Sequence, residues 1–216
     1  MLKPGKKGYI EELIDRGEGE TLDFKHSIND SKKIARSVAA FANTKGGILL
    51  IGVKDNGAIV GVNSDEDYHM VEGAAQLYCK PEVPFEVKRW TVLGKTVLEV
   101  TIKPSPLKPH LAPDKNGTLL AFVRVADENF VASTIQYKIW KAERQREAVT
   151  FAITGKEQLL MEMLRKSGKV SAAEYAKAAF ISHDEAEAFL IKMVVLRLAK
   201  LESATDEDPY FLGYRL

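Results

Sequence analysis

Apolar positions along this chain switch between helical and strand spacing, and each switch marks an element. Tyr9 to Arg16 has helical spacing and stops at Gly17, a residue suited to a helix C-cap. Residues 21–25 then alternate with period two, placing Leu22 and Phe24 on one face and Asp23 and Lys25 on the other. Asp30 or Ser31 can cap a helix running to about residue 43, with Ile34, Val38 and Phe41 as its core stripe. Lys32, Lys33 and Arg36 lie off that stripe. Gly46-Gly47 closes the helix and lets the backbone turn tightly into 48–53. That strand is apolar on both faces, which predicts a central place in a sheet.

Asp55-Asn56-Gly57 predicts a hairpin into 58–62, and a helix follows over 64–79. Residues 83–92 and 95–103 read as paired strands about Leu93-Gly94. Four prolines between 104 and 113 predict an extended loop without regular structure. Residues 118–125 return as a strand, and Ser133 caps an amphipathic helix to about Glu147. The tail reads as helices over 155–165, 172–179 and 182–200, then a hairpin from Leu201 through Tyr214. Three helices and a terminal hairpin is winged-helix order. The expected fold is therefore α/β (α+β): a mixed sheet with flanking helices over 1–146, and a small winged-helix-like domain over 157–216. The linker falls near 147–156.

Composition narrows the class of protein. With 216 residues, 45% hydrophobic and 28% charged, the chain can bury a core for one full domain and a smaller one. Its apolar runs are too short to span a bilayer, and no signal core follows the basic N-terminal residues. A single cysteine, Cys79, permits no internal disulfide and fits a reducing compartment, so a cytoplasmic protein is expected. The net charge is only +1, with the first 146 residues slightly basic and the rest slightly acidic. Nucleic-acid binding would have to rest on local patches.

The candidate chemistry lies in two stretches. Glu18-Gly-Glu-Thr-Leu-Asp23-Phe-Lys25 gathers carboxylates and a lysine around a strand. Phe41-Ala-Asn-Thr-Lys-Gly-Gly leads through an apolar strand to Asp55. Carboxylates at strand ends suit a hard divalent cation, and a lysine suits a phosphate. Plainer readings stand beside this. Asp55 sits where a turn wants an aspartate, and Glu18 can simply pair with Lys25. The Asn can bond backbone, and N–H groups around Gly-Gly can form an anion nest.

Together these stretches resemble the Schlafen-type AlbA family, found in many bacterial regulators and in Schlafen proteins. The resemblance implies nucleic-acid handling, of DNA or RNA, by a regulator-type protein. It also aligns Glu18, Asp23 and Asp55 with three acidic positions of the metal-dependent ribonuclease site in active relatives. Mg²⁺ or Mn²⁺ would be the ion there, and Lys25 would hold the phosphate. Position 23 is Asp rather than Glu, one methylene shorter. Arg124, in Phe-Val-Arg-Val-Ala-Asp-Glu-Asn, matches the family's recurrent strand-end Arg. Some members are labelled ATP-binding, but no Gly-x4-Gly-Lys-Ser/Thr element exists here, so no ATP site is expected.

For binding, Lys32, Lys33 and Arg36 share one polar side of a helix, with Lys54, Lys108 and Arg124 as candidates for the same surface. His110 reads as a surface histidine. In the tail, Asp184, Glu185 and Glu187 crowd the start of the third helix, and Asp206-Glu207-Asp208 occupies the wing, so both repel phosphate. The tail is expected to support self-association, as in a homodimer. The leading expectation is a nucleic-acid-binding protein, and the alternative is a divalent-metal-dependent endoribonuclease.

Overall fold

The computed structural model describes residues 8–62, 64–145, 154–202 and 210–213. Helix α1 (Tyr9–Arg16) opens with the Gly8 N–H bonded 2.7 Å to Glu11 Oε2 and closes at Gly17, whose φ of 74° a glycine adopts without strain. Strand β1 (Leu22–Lys25) runs parallel to β2 (Gly47–Ile51), Leu22 opposite Ile48 and Lys25 opposite Ile51. Parallel neighbours need a crossover, here helix α2 (Ser31–Asn43). Asp30 is its N-cap, its side chain accepting from the N–H groups of Lys32 and Lys33, and Ile34, Val38 and Phe41 are buried as the periodicity predicts.

Helix α3 (Ser64–Glu72) continues as a π-helical turn, Gly73–Tyr78. Beyond it, β3 (Phe85–Val92) and β4 (Lys95–Ile102) pair antiparallel, and β4 pairs with β2. The mixed sheet has the order β1-β2-β4-β3, so β2 is interior. Its alternate residues serve two cores. Leu49 and Ile51 join Ile34, Val38 and Phe41 of α2, whereas Leu50 joins Leu22, Phe24, Val97 and the buried Ile10 and Leu13 of α1. Each face of the sheet is thus closed by a different helix.

A second, antiparallel sheet has the order β5-β6-β7: β5 (Leu111–Pro113), β6 (Leu119–Val125) and β7 (Glu128–Val131). Two of these strands depart from expectation. The proline-rich segment was expected to be irregular, yet Leu111 exchanges backbone hydrogen bonds with Lys80 and the next two residues pair with β6. No strand was expected over 128–131, where Asn129 is held by Arg124 and donates to Ser37 Oγ at 2.9 Å. Conversely, 58–62 forms no strand, only a Val53–Ile59 bridge.

The chain divides into two compact units after Val131. Helix α4 (Thr134–Arg144), capped by Ser133, falls in the second unit rather than in the expected 1–146 domain. The reason is packing: Ile135 and Ile139 are buried with Leu160, Leu164, Tyr175, Leu190 and Phe211. This unit continues as α5 (Gly155–Ser167), β8 (Lys169–Ser171), α6 (Ala172–Ala179), α7 (His183–Val195), β9 (Ala199–Leu201) and β10 (Tyr210–Gly213). Its antiparallel sheet has the order β8-β10-β9. Ser171 and Ser182 cap α6 and α7 with capping boxes. Helix α7 stops at Val195, short of residue 200, because Arg197 turns to a φ of 59° and Ala199–Leu201 pairs with β10. The wing acids at 206–208, Glu147, most of the 147–156 linker and Tyr214 lie outside the described residues. No described helix is long and apolar enough to cross a membrane.

Candidate nucleic-acid interface

After α1 the backbone closes a tight turn, Gly19 N–H donating to Leu22 O at 2.8 Å, and this places Glu18 beside β1. Glu18 Oε1 accepts the Phe24 N–H at 2.7 Å. Asp23 is buried, because Leu22 and Phe24 face α1 and Asp23 therefore turns toward the side covered by α2. Arg124 Nη2 approaches Asp23 Oδ1 to 3.2 Å, and Lys25 Nζ lies 2.9 Å from Oδ2. That second approach is electrostatic, since Oδ2 receives no aligned hydrogen bond. Partial burial and the neighbouring Asp23 carboxyl push the Glu18 carboxyl above its ordinary range.

Asp55 does not join this group. It sits exposed in the turn that Gly57 N–H closes onto Lys54 O at 2.8 Å, the role its turn sequence predicts. Among the described residues no three His, Cys, Asp or Glu side chains come together as a metal-ligating set. The expected Glu18, Asp23 and Asp55 triad is therefore absent. The electrostatics agree, because Asp23 already faces the two cations Lys25 and Arg124, and a divalent ion placed there would meet both. The residues present do not fit Mg²⁺ or Mn²⁺.

Arg124 is a correction of the same kind. Expected at a binding surface, it is 3% exposed. Its guanidinium donates to Gly19 O at 3.2 Å and reaches Asn129 Oδ1 at 3.3 Å, with its carbon 5.3 Å from the centre of the Phe41 ring. It pins the Glu18 turn and β1 to β6, and no phosphate can reach it. His110 is likewise buried, with Pro81 O 2.8 Å from Nδ1 and Ser105 Oγ 2.6 Å from Nε2. Asn43 bonds backbone as its motif suggested, donating to His110 O and Phe122 O and accepting from His110 N–H. Gly46 offers no anion nest, being buried where an added Cβ would meet Ile102 O and Pro104 Cδ, each at 2.7 Å.

The basic positions separate by environment. Lys32 and Lys33 are exposed at the start of α2, and Lys32 Nζ lies 5.7 Å from the centre of the Tyr78 ring. Arg36 is half-buried, its Nε donating to Pro113 O at 2.8 Å. Lys54 is exposed in the Asp55 turn, and Lys108 is half-buried, donating to Thr44 O at 3.3 Å. The structure thus brings together Lys32, Lys33 and the flank of Tyr78. Tyr78 was missed by sequence reasoning, because in a helix predicted over 64–79 it reads as one more core position.

In the second unit the carboxylates at the start of α7 are partly engaged. Glu185 Oε2 accepts from Ser182 N–H and Oγ, each at 3.0 Å, and Glu187 pairs with Lys138. Asp184 remains exposed.

Residues 18–133 match the model of the family described as Schlafen, AlbA_2. Two solved structures are similar to the chain. One is the DIP2311 protein from Corynebacterium diphtheriae, with 24% identity and a TM-score of 0.45, covering 68% of this chain and 33% of that one. The other is the N-terminal domain of a protein from Nitrosomonas europaea named as related to the ATP-dependent DNA helicase RecG. There the identity is 22% and the TM-score 0.41, covering 55% of this chain and 89% of that one. The chain spans about a third of the length of DIP2311.

Proposed function

The chain belongs to the Schlafen, AlbA_2 family, and we propose that it is a nucleic-acid-binding protein of regulator type that binds through its first unit. The observation that carries this reading is the start of α2, where Lys32 and Lys33 stand exposed side by side. Asp30, the nearest carboxylate in sequence, is turned into the helix cap and holds their backbone N–H groups at 2.8 and 3.3 Å. Its charge satisfies the helix end and leaves the two ammonium groups free to meet phosphates. Arg36, one turn further along, extends the same side.

Contacts of this kind release counterions, so affinity should fall steeply with salt. Titration of labelled DNA and RNA at low and physiological salt tests the reading. Saturable binding that weakens with salt supports it, and no binding of either nucleic acid at micromolar protein removes it.

The second unit, in this reading, is a winged-helix-like module for self-association. Its order of helices and strands supports the fold, and exposed Asp184 at the start of α7 disfavours entry into a groove. Deleting the whole second unit, 132–216, should change the mass seen by light scattering while leaving nucleic-acid affinity unchanged. The nuclease alternative draws no support from this geometry, for want of a third carboxylate.

A further inference from the structure

We propose that an open cleft between the π-helical turn and β3 holds a single unstacked guanine of a single-stranded nucleic acid, an inference that rests on the nucleic-acid reading above. The cleft has a volume of about 390 Å³, within the range of small-ligand sites. Tyr68 and Phe85 touch each other, with ring centroids 6.4 Å apart and planes inclined by 51°, and together make one aromatic wall. Val83 and Val87 add apolar lining, and the polar groups are Gln76 and Glu82, both exposed.

This is the chemistry of a nucleobase site. An aromatic wall takes one flat face of a base, a contact every base can make. Discrimination comes from the edge. A carboxylate can only accept, and guanine alone presents two adjacent donors, N1–H and the N2 amine, on its Watson–Crick edge. The Gln76 amide both donates and accepts, so it can meet the neighbouring O6. In a duplex that edge is already paired, which restricts the site to single strands and loops.

Chain continuity ties the cleft to the basic patch. Gln76 and Tyr78 stand on the same turn, and Lys32 lies over the Tyr78 ring. Between them Leu77 is 68% exposed, an apolar surface on which an adjacent base can rest. A strand seated in the cleft would thus carry its neighbouring phosphates toward Lys32 and Lys33.

Fluorescence anisotropy on the full chain tests this, using thymine-only (uracil-only in RNA) oligonucleotides of about twelve nucleotides, long enough for one such site. Each is compared with the same oligonucleotide carrying one central guanine, as DNA and as RNA. One guanine should tighten binding by about tenfold in at least one sugar series. Glu82→Gln should abolish that gain, measured against the same variant's own guanine-free affinity, with circular dichroism showing the fold intact. Equal affinity with and without guanine overturns the proposal, as does a guanine gain that survives both Glu82→Gln and Gln76→Ala. Failure of every oligonucleotide to bind would instead overturn the underlying nucleic-acid reading.

Discussion

The guanidinium of Arg124 and the carboxylate of Asp23 meet at 3.2 Å with only 2% and 4% of their side chains exposed, so one buried ion pair joins the mixed sheet to the antiparallel one. Removing Asp23 leaves the Arg124 guanidinium out of water without its carboxylate, and removing Arg124 leaves buried Asp23 with only the half-exposed Lys25. Asp23→Ala and Arg124→Ala should each lower unfolding free energy by about 3–5 kcal/mol. Lys25→Ala should cost far less, because Lys25 is half-buried and its partner retains Arg124. Urea unfolding of the three variants checks the order, and an Asp23→Ala loss no larger than that of Lys25→Ala would contradict it.

Lys32→Ala and Lys33→Ala should each weaken nucleic-acid binding across sequences and flatten the dependence of log affinity on log salt by about one unit. Lys141→Ala, in α4 of the second unit, serves as a comparison for an exposed lysine elsewhere. Salt titrations of the three variants distinguish a local patch from diffuse attraction, for which the three slopes would change alike.

Acid should act oppositely on Glu18 and on three carboxyls of the second unit. In that unit, Glu174 and Glu185 accept backbone and hydroxyl hydrogen bonds from their helix caps, which hold their carboxyls below the ordinary range. Burial pushes Glu157 upward, but bonds from Thr154 and the charge of Lys192 outweigh it, so its carboxyl also ends low. Their contribution is complete above the ordinary glutamate value and is lost as pH falls through the lowered ones. Glu18 is raised, so its contribution is complete below the ordinary value and is lost as pH rises through the raised one. Hydrogen exchange followed while acidifying should show α5, α6 and α7 losing protection before β1 and α2 do. The reverse order would refute the assignment.

Gly46→Ala and Gly47→Ala should each destabilise by about 1–3 kcal/mol, the scale of overpacking. A Cβ at 46 would lie 2.7 Å from Ile102 O on a backbone with φ of 75°, and one at 47 would lie 2.6 Å from the ring of fully buried Phe41. Thermal unfolding measures both. Gly19→Ala, with open space around its Cβ, is the control.

Legibility in the sequence followed the range of the forces involved. Caps, turns and alternation are local, so Gly17, Ser133 and the pair Asp30 or Ser31 marked their helix ends, and two-faced apolarity placed β2 inside the sheet. Pairings made across the chain were hidden. Leu111 finds Lys80, and Asn129 finds Ser37, through contacts that no short window reveals. The site suffered most from this. Arg124 and Asp23 are 101 residues apart, so an arginine that looked like a phosphate ligand proved to be the counterion of a residue that looked like a metal ligand. Lys32 and Lys33 were readable because a surface position on a capped amphipathic helix needs no distant partner.

Helix α1 lies ahead of the matched segment 18–133, yet it supplies the cover for one face of the mixed sheet. Tyr9 Oη and Trp90 Nε1 both donate to buried Glu99, at 3.0 and 2.6 Å, so the helix also satisfies a charge beneath it. A fragment trimmed at the family boundary would uncover Leu22, Phe24, Leu50 and Val97 together and leave Glu99 with one donor fewer. Expressed alone, such a fragment should stick to its own copies and precipitate, and a test of nucleic-acid binding on it would report on damaged material rather than on the family unit.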